Sequence, residues 1–143
     1  MVKKKIGAAV VILNTTGHVL LVKHNYGPLN WELPGGGAEA NESIIDTAIR
    51  EVREETGIHA AAERLTGVYY DAEVDMLHFA FLCKKLDSRT EFQTNPEISE
   101  CSYWNIDELP RPISDFTILR INDALSDVDH LLPVNIGPRR WLK

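Results

Sequence analysis

Gly36-Gly37-Ala38-Glu39-Ala40-Asn41-Glu42-Ser43-Ile44-Ile45-Asp46-Thr47-Ala48-Ile49-Arg50-Glu51-Val52-Arg53-Glu54-Glu55-Thr56-Gly57-Ile58 is the stretch that decides how this chain is read. A glycine turn leads into a segment where carboxylates recur at helical spacing. Residues three and four apart share a helix face, so Glu51, Glu54 and Glu55 are expected along one edge. Ile45, Ala48, Ile49 and Val52 fill the adjoining sector and give the helix a side to bury. The spacing predicts a helix over residues 42–56, closed by Gly57, which can take the left-handed conformation. Six carboxylates (Glu39, Glu42, Asp46, Glu51, Glu54, Glu55) stand against two arginines (Arg50, Arg53) here, most of a net charge of -6. Such crowding repels itself unless cations settle there, and a metal ion is the simplest cation. Mg²⁺ commonly joins a few carboxylates to substrate phosphates. The plain alternative is a solvated acidic face neutralised by its own arginines. The lead-in Trp31-Glu32-Leu33-Pro34-Gly35-Gly36-Gly37 favours the metal, because a tight turn can present a backbone carbonyl to an ion held by the helix.

Working outward, residues 6–13 are apolar and largely β-branched or small. They are followed by the turn Asn14-Thr15-Thr16-Gly17 and a second apolar run at 19–22, which reads as strand, turn, strand. The lysines at 3–5 give this start a superficial likeness to a secretory leader, but the apolar run passes straight into a turn and another strand. Residues 25–37, rich in Gly and Pro, are expected as loop. Residues 65–70 and 77–83 read as strands around an acidic turn containing Asp71, Glu73 and Asp75. A weaker strand is expected at 102–106, ending in a helical turn at Asp107-Glu108-Leu109. Ile118, Ile121, Leu125 and Val128 predict an amphipathic helix over 116–128. The tail from 131 ends in Arg139-Arg140-Trp141-Leu142-Lys143, a candidate disordered end, dimer contact or lid over an anionic substrate. This order predicts one α/β (α+β) domain over 1–143, a mixed sheet with helices on its faces.

At 143 residues the chain fits one domain with a substantial core, and 44% hydrophobic with 25% charged residues is ordinary for a globular protein. A pI of about 5.3 argues against broad binding to nucleic acid. No run approaches the ~18 apolar residues of a membrane span. Cys83 and Cys101 are expected as free thiols in a reducing compartment, which predicts a cytoplasmic protein. His18, His24, His59, His78 and His130 show no metal-ligand spacing. Tyr26, Tyr69, Tyr70 and Phe79 are candidates for stacking on a base, although aromatic residues in strands are more often core.

The acidic segment resembles the Nudix box, Gly-x5-Glu-x7-Arg-Glu-(aliphatic)-x-Glu-Glu-x-Gly-(aliphatic). Gly36, Glu42, Arg50, Glu51, Val52, Glu54, Glu55, Gly57 and Ile58 fill every fixed position. Average residue frequencies give such a match at below roughly 10⁻⁸ per starting position. The Pro34-Gly35-Gly36 lead-in and residues 104–110 also look like this family. Asn41 departs from it, standing where glycine is common, and asparagine tolerates a left-handed backbone.

The resemblance implies an α/β/α sandwich and hydrolysis, with Mg²⁺ or Mn²⁺, of a nucleoside diphosphate linked to another group. It implies Glu51, Glu54, Glu55 and the Gly36 carbonyl as metal ligands, Arg50 holding a carboxylate in place, and Glu42 supporting the loop–helix junction. The proton of the attacking water would pass to Glu54 or Glu51 on the helix, or to Glu97 or Glu100 before Trp104. Gly36, Gly37 and Tyr26 are the expected substrate contacts. Members specific for ADP-ribose often carry a proline some fifteen residues after the box, and none lies between Ile58 and Asn95. That lowers a sugar-nucleotide substrate without removing it. The small size favours a nucleoside triphosphate, a damaged one included, or a small nucleotide conjugate, and RNA 5′-end hydrolysis stays open against the acidic balance. The rivals are a nucleotide-binding sensor without turnover and an interaction module whose acidic helix meets a basic partner.

Overall fold

Strand β1 (Lys5–Ile12) is buried on both faces, and the architecture follows from it. Successive strand residues point to opposite faces. Ala8, Val10 and Ile12 enter one core with Leu20, Ala48 and Val52, whereas Ala9 and Val11 enter another with Leu21, Trp31 and Ile121. The computed structural model describes residues 1–129 and 132–143; His130 and the first residue of the tail, Leu131, lie outside the described residues. After β1 come β2 (Val19–His24), β3 (Trp31–Glu32), β4 (Gly35–Gly37), α1 (Ile44–Thr56), β5 (Ala60–Asp71), β6 (Met76–Lys85) and β7 (Ile98–Trp104). A 3₁₀ turn (Ile106–Glu108) then precedes β8 (Ile113–Ser114), α2 (Asp115–Leu125), β9 (Val134–Ile136) and β10 (Trp141–Leu142). The strands form two mixed sheets, ordered β4-β1-β6-β5-β9 and β10-β8-β3-β2-β7. Helix α1 packs on β1, β4 and β5, and α2 on β5, β6 and β8, so the helices cover opposite faces. This is the expected α/β sandwich, with its strands divided between two sheets rather than gathered in one.

Local chemistry sets the ends of α1. Ser43 caps it, its Oγ accepting from Asp46 N–H at 3.1 Å, and Gly57 closes it at φ 80°. Glu42 therefore lies just outside the helix. Ala48 and Val52 form the buried side as expected, but Ile45 is exposed, because the face turned to the sheet runs through Thr47, Ala48, Val52 and Glu55.

Three expectations are corrected. Residues 25–37 are not all loop: Gly35–Gly37 pairs antiparallel with β1, Ala8 opposite Gly36, a strand that glycine's weak β-propensity hides. β7 begins at Ile98 instead of 102, pairing with β2. Helix α2 ends at Leu125 instead of 128, where Ser126 N–H bonds the Asp123 carbonyl, and Val128 is exposed. In the tail, β9 joins β5 and β10 joins β8. The acidic turn joins β5 to β6 as predicted, and both cysteines are free thiols. Among the described residues no helix is long and apolar enough to cross a membrane.

Candidate active site

The acidic edge of α1 is organised around Arg50. Its Nε donates to Glu42 Oε2 at 2.7 Å and its Nη2 to Glu42 Oε1 at 3.0 Å, a fork-on-carboxylate pair. Nη1 donates to Glu51 at 2.9 Å and Glu54 at 3.2 Å, and Nη2 also reaches the Gly37 carbonyl at 3.0 Å. One arginine thus ties the glycine strand, the loop and the helix together. Glu42 also accepts from Thr47 Oγ1 at 2.7 Å and from Glu39 N–H at 3.1 Å. The Arg50 guanidinium and the Thr47 hydroxyl hold the Glu42 carboxyl down at about 2. Asn41 takes φ 61°, the left-handed conformation that its residue type tolerates.

The three candidate metal ligands share an edge but diverge at their tips. Glu51 lies against the glycine strand: a Cβ on Gly36 would meet its carboxyl carbon at 2.6 Å, so only glycine permits that approach. Glu54 faces solvent. Glu55 turns inward and is 4% exposed, and its Oε1 accepts from Gly35 N–H at 2.7 Å. Among the described residues no three His, Cys, Asp or Glu side chains are grouped closely enough to hold a metal ion. The expected convergence is not present, because Arg50 draws Glu51 and Glu54 to itself while Gly35 takes Glu55.

The donor set nevertheless fits a hard divalent cation. Every donor is oxygen, and negative charge is left uncompensated. Burial, then repulsion from Glu51, Glu32 and Glu97, pushes the Glu55 carboxyl up to about 8 against the hydrogen bond from Gly35. Burial also raises Glu51, with Arg50 opposing and Glu54 and Glu97 adding to the rise. A cation beside these groups would reverse both shifts.

A cavity of about 200 Å³ opens beside the glycine strand. Gly36, Gly37 and Tyr26, the candidate substrate contacts, line it together. Tyr26 stacks on His24 with ring centroids 4.6 Å apart, and its hydroxyl lies within the field of Glu55 and Glu97. Of the two candidate bases outside the helix, Glu97 is near enough for its charge to act on both Glu51 and Glu55. Glu100 is opposite Lys23 in the β2–β7 register, next to Cys101, which lies within the field of Glu55. Strand alternation turns Glu100 the other way. Of the other aromatic candidates, Tyr69 is core and bonds Asp123 at 2.7 Å, and Tyr70 bonds Asp75 on the hairpin turn.

Apart from the basic end of the tail, sequence reasoning missed the far wall of this cavity. Arg120 on α2 is buried, donates to Glu32 at 2.7 Å and lies 3.9 Å over the Phe116 ring. Arg139, from the tail, approaches the same ring at 4.5 Å and pairs with Asp71 at 2.9 Å. No local signal joins residues 32, 78, 116, 120 and 139. The packing of α2 on β6 and β8, together with the fold of the tail against β5 and β8, does so.

Residues 3–121 match the NUDIX domain. The chain belongs to the NUDIX family. A MutT-like protein of Streptomyces ambofaciens is 31% identical over 137 residues, 90% of this chain and 87% of that one. A Bacillus subtilis protein, provisionally named an 8-oxo-dGTP diphosphatase, is 48% identical over 63 residues, which span 44% of this chain and only 42% of that relative. An ADP-ribose pyrophosphatase from Streptococcus suis superposes with a TM-score of 0.74 at 25% identity, covering 94% of this chain and 100% of that one. The chain is accordingly a Nudix-type hydrolase acting on phosphoric anhydride bonds.

Proposed function

We propose that this Nudix chain is a metal-dependent pyrophosphohydrolase. Its substrate would be a nucleoside triphosphate or a small conjugate of a nucleoside diphosphate. The observation carrying this reading is the placement of Glu51 against Gly36 and of the buried Glu55 on Gly35 N–H, along a glycine strand that lines a cavity. Glu51, Glu54, Glu55 and the Gly36 carbonyl would hold Mg²⁺ or Mn²⁺. When bound, the ion supplies neutralisation of phosphate charge and a lowered pKa for water. Arg50 keeps Glu42, Glu51 and Gly37 in register, so the glycine strand and the helix act as one rigid unit. Glu97, whose charge reaches Glu51 and Glu55, receives the proton of the attacking water, with Glu54 as the helix-borne alternative. Tyr26 and the cavity wall hold the remainder of the nucleotide.

The test is a panel of nucleoside triphosphates, ADP-ribose and UDP-sugars with Mg²⁺ or Mn²⁺, with products read by mass in ¹⁸O-labelled water. Turnover that needs the ion and collapses in Glu54→Gln supports the proposal. Tight nucleotide binding without any product would instead make the chain a sensor.

A further inference from the structure

His78 carries an unmet hydrogen bond beside the cavity. Its Nε2 is buried and has no partner, although the side chain lines the cavity. The other polar groups of that wall are committed: Arg120 to Glu32, and Arg139 to Asp71. The imidazole is fixed edge-on to Phe116, with ring centroids 5.1 Å apart. A buried polar atom without a partner is costly, and its persistence beside a cavity points to a ligand that completes it.

The position of His78 says which part of the ligand that is. Across the first sheet, Gly37 is opposite Gly7 and Gly7 is in register with His78, so two strand spacings, ~10 Å, separate the glycine strand from His78. Gly7 and Ala9 line the cavity between them and leave its floor open. A substrate whose diphosphate lies at Gly36 therefore presents its far end to His78. Burial and the two neighbouring guanidiniums hold His78 down to about 4, so it is neutral near pH 7 and suits an uncharged polar edge better than a phosphate. Tyr26, stacked on His24, offers a flat surface at the mouth of the same cavity.

We infer that His78 is a specificity residue whose Nε2 hydrogen-bonds the nucleobase edge of the substrate. This rests on the nucleotide pyrophosphohydrolase reading above and adds the residue that reads the base.

The experiment uses the full chain with His78→Phe, which keeps a ring but deletes the nitrogen, and His78→Gln, which restores a polar atom at similar reach. KM and kcat are measured on the best nucleotide of the panel. Inhibition by inorganic tripolyphosphate, which has the phosphate chain and no base, is measured alongside, with Tm. His78→Phe is expected to raise KM about tenfold with kcat within twofold. Tripolyphosphate inhibition should stay unchanged and Tm should not fall, because an orphaned polar atom has been removed. His78→Gln should recover part of the loss. The inference is overturned if KM is unchanged in both variants, or if tripolyphosphate inhibition weakens in step with KM. A fall in Tm that accounts for the lost affinity also overturns it, since that marks a structural role. A wild-type chain that cleaves nothing in the panel contradicts the underlying reading instead. His78 is then judged by the same tenfold criterion on the Kd for α,β-methylene-ATP.

Discussion

The two helices each set one arginine at the cleft, and the two arginines live in opposite electrostatic worlds. Arg50 on α1 is surrounded by four carboxylates: Glu42, Glu51 and Glu54 within 3.2 Å and Glu39 at 3.7 Å. Arg120 on α2 has one carboxylate, Glu32, and the face of Phe116. On the α1 side one cation cannot balance the charge, and Glu55 and Glu51 remain raised. On the α2 side each guanidinium has its counter-charge and the surface is aromatic. Under the proposed function the first region would take an added cation, whereas the second would recognise by shape and hydrogen bonding. A diphosphate with a nucleoside attached needs both.

The largest expected effect lies on the α1 side. Glu54→Gln and Glu55→Gln should each cut kcat by more than about a hundredfold in steady-state assays with Mg²⁺, while circular dichroism stays that of the wild type. A rate close to wild type in both variants would break the contrast at its acidic end.

On the α2 side the large effect should be on stability. Arg120→Met strands Glu32 beside the cavity and should cost about 3 kcal/mol in urea unfolding, with Glu32→Gln in the same chain recovering part of it. A purely additive double variant would show that the pair is not coupled.

The pH response separates the regions next. His78 is held down to about 4 in the fold, against 6.5 when unfolded. The unfolded chain therefore binds more protons between those values, so this group's contribution makes stability fall as pH drops from 6.5 towards 4. His78→Phe should flatten that part of the Tm–pH curve; an unaltered curve would contradict the account.

The smallest effect compares the two N-caps. Ser43 is exposed, whereas Ser114 is buried and also shares a hydrogen bond with the Thr117 hydroxyl. Ser43→Ala should cost about 0.5 kcal/mol and Ser114→Ala about 2 kcal/mol by chemical denaturation. Equal losses would show that burial does not distinguish the two caps.

The two regions also differed in how far they could be read beforehand. The α1 edge was legible because its information is local: carboxylates at three and four residues, a glycine turn before them, Gly57 after them. What local reading could not supply was side-chain direction, so Glu54 outward and Glu55 inward had to come from packing against Gly35. The α2 wall joins His78 on β6, Phe116 and Arg120 on α2, and Arg139 from the tail, and no spacing rule links positions so far apart. Glycine concealed β4 for a related reason, since its strand character comes from pairing with β1 rather than from propensity. Strands of two or three residues, such as β8, β9 and β10, carry too little pattern to be seen alone.

The central claim is that the α1 edge holds a divalent cation. Titrating Mn²⁺ into the full chain, followed by electron paramagnetic resonance of the free ion, tests it most directly. The account predicts saturable binding in the wild type that is lost when Glu51, Glu54 and Glu55 are all replaced by glutamine. Equal uptake by the two chains would contradict it.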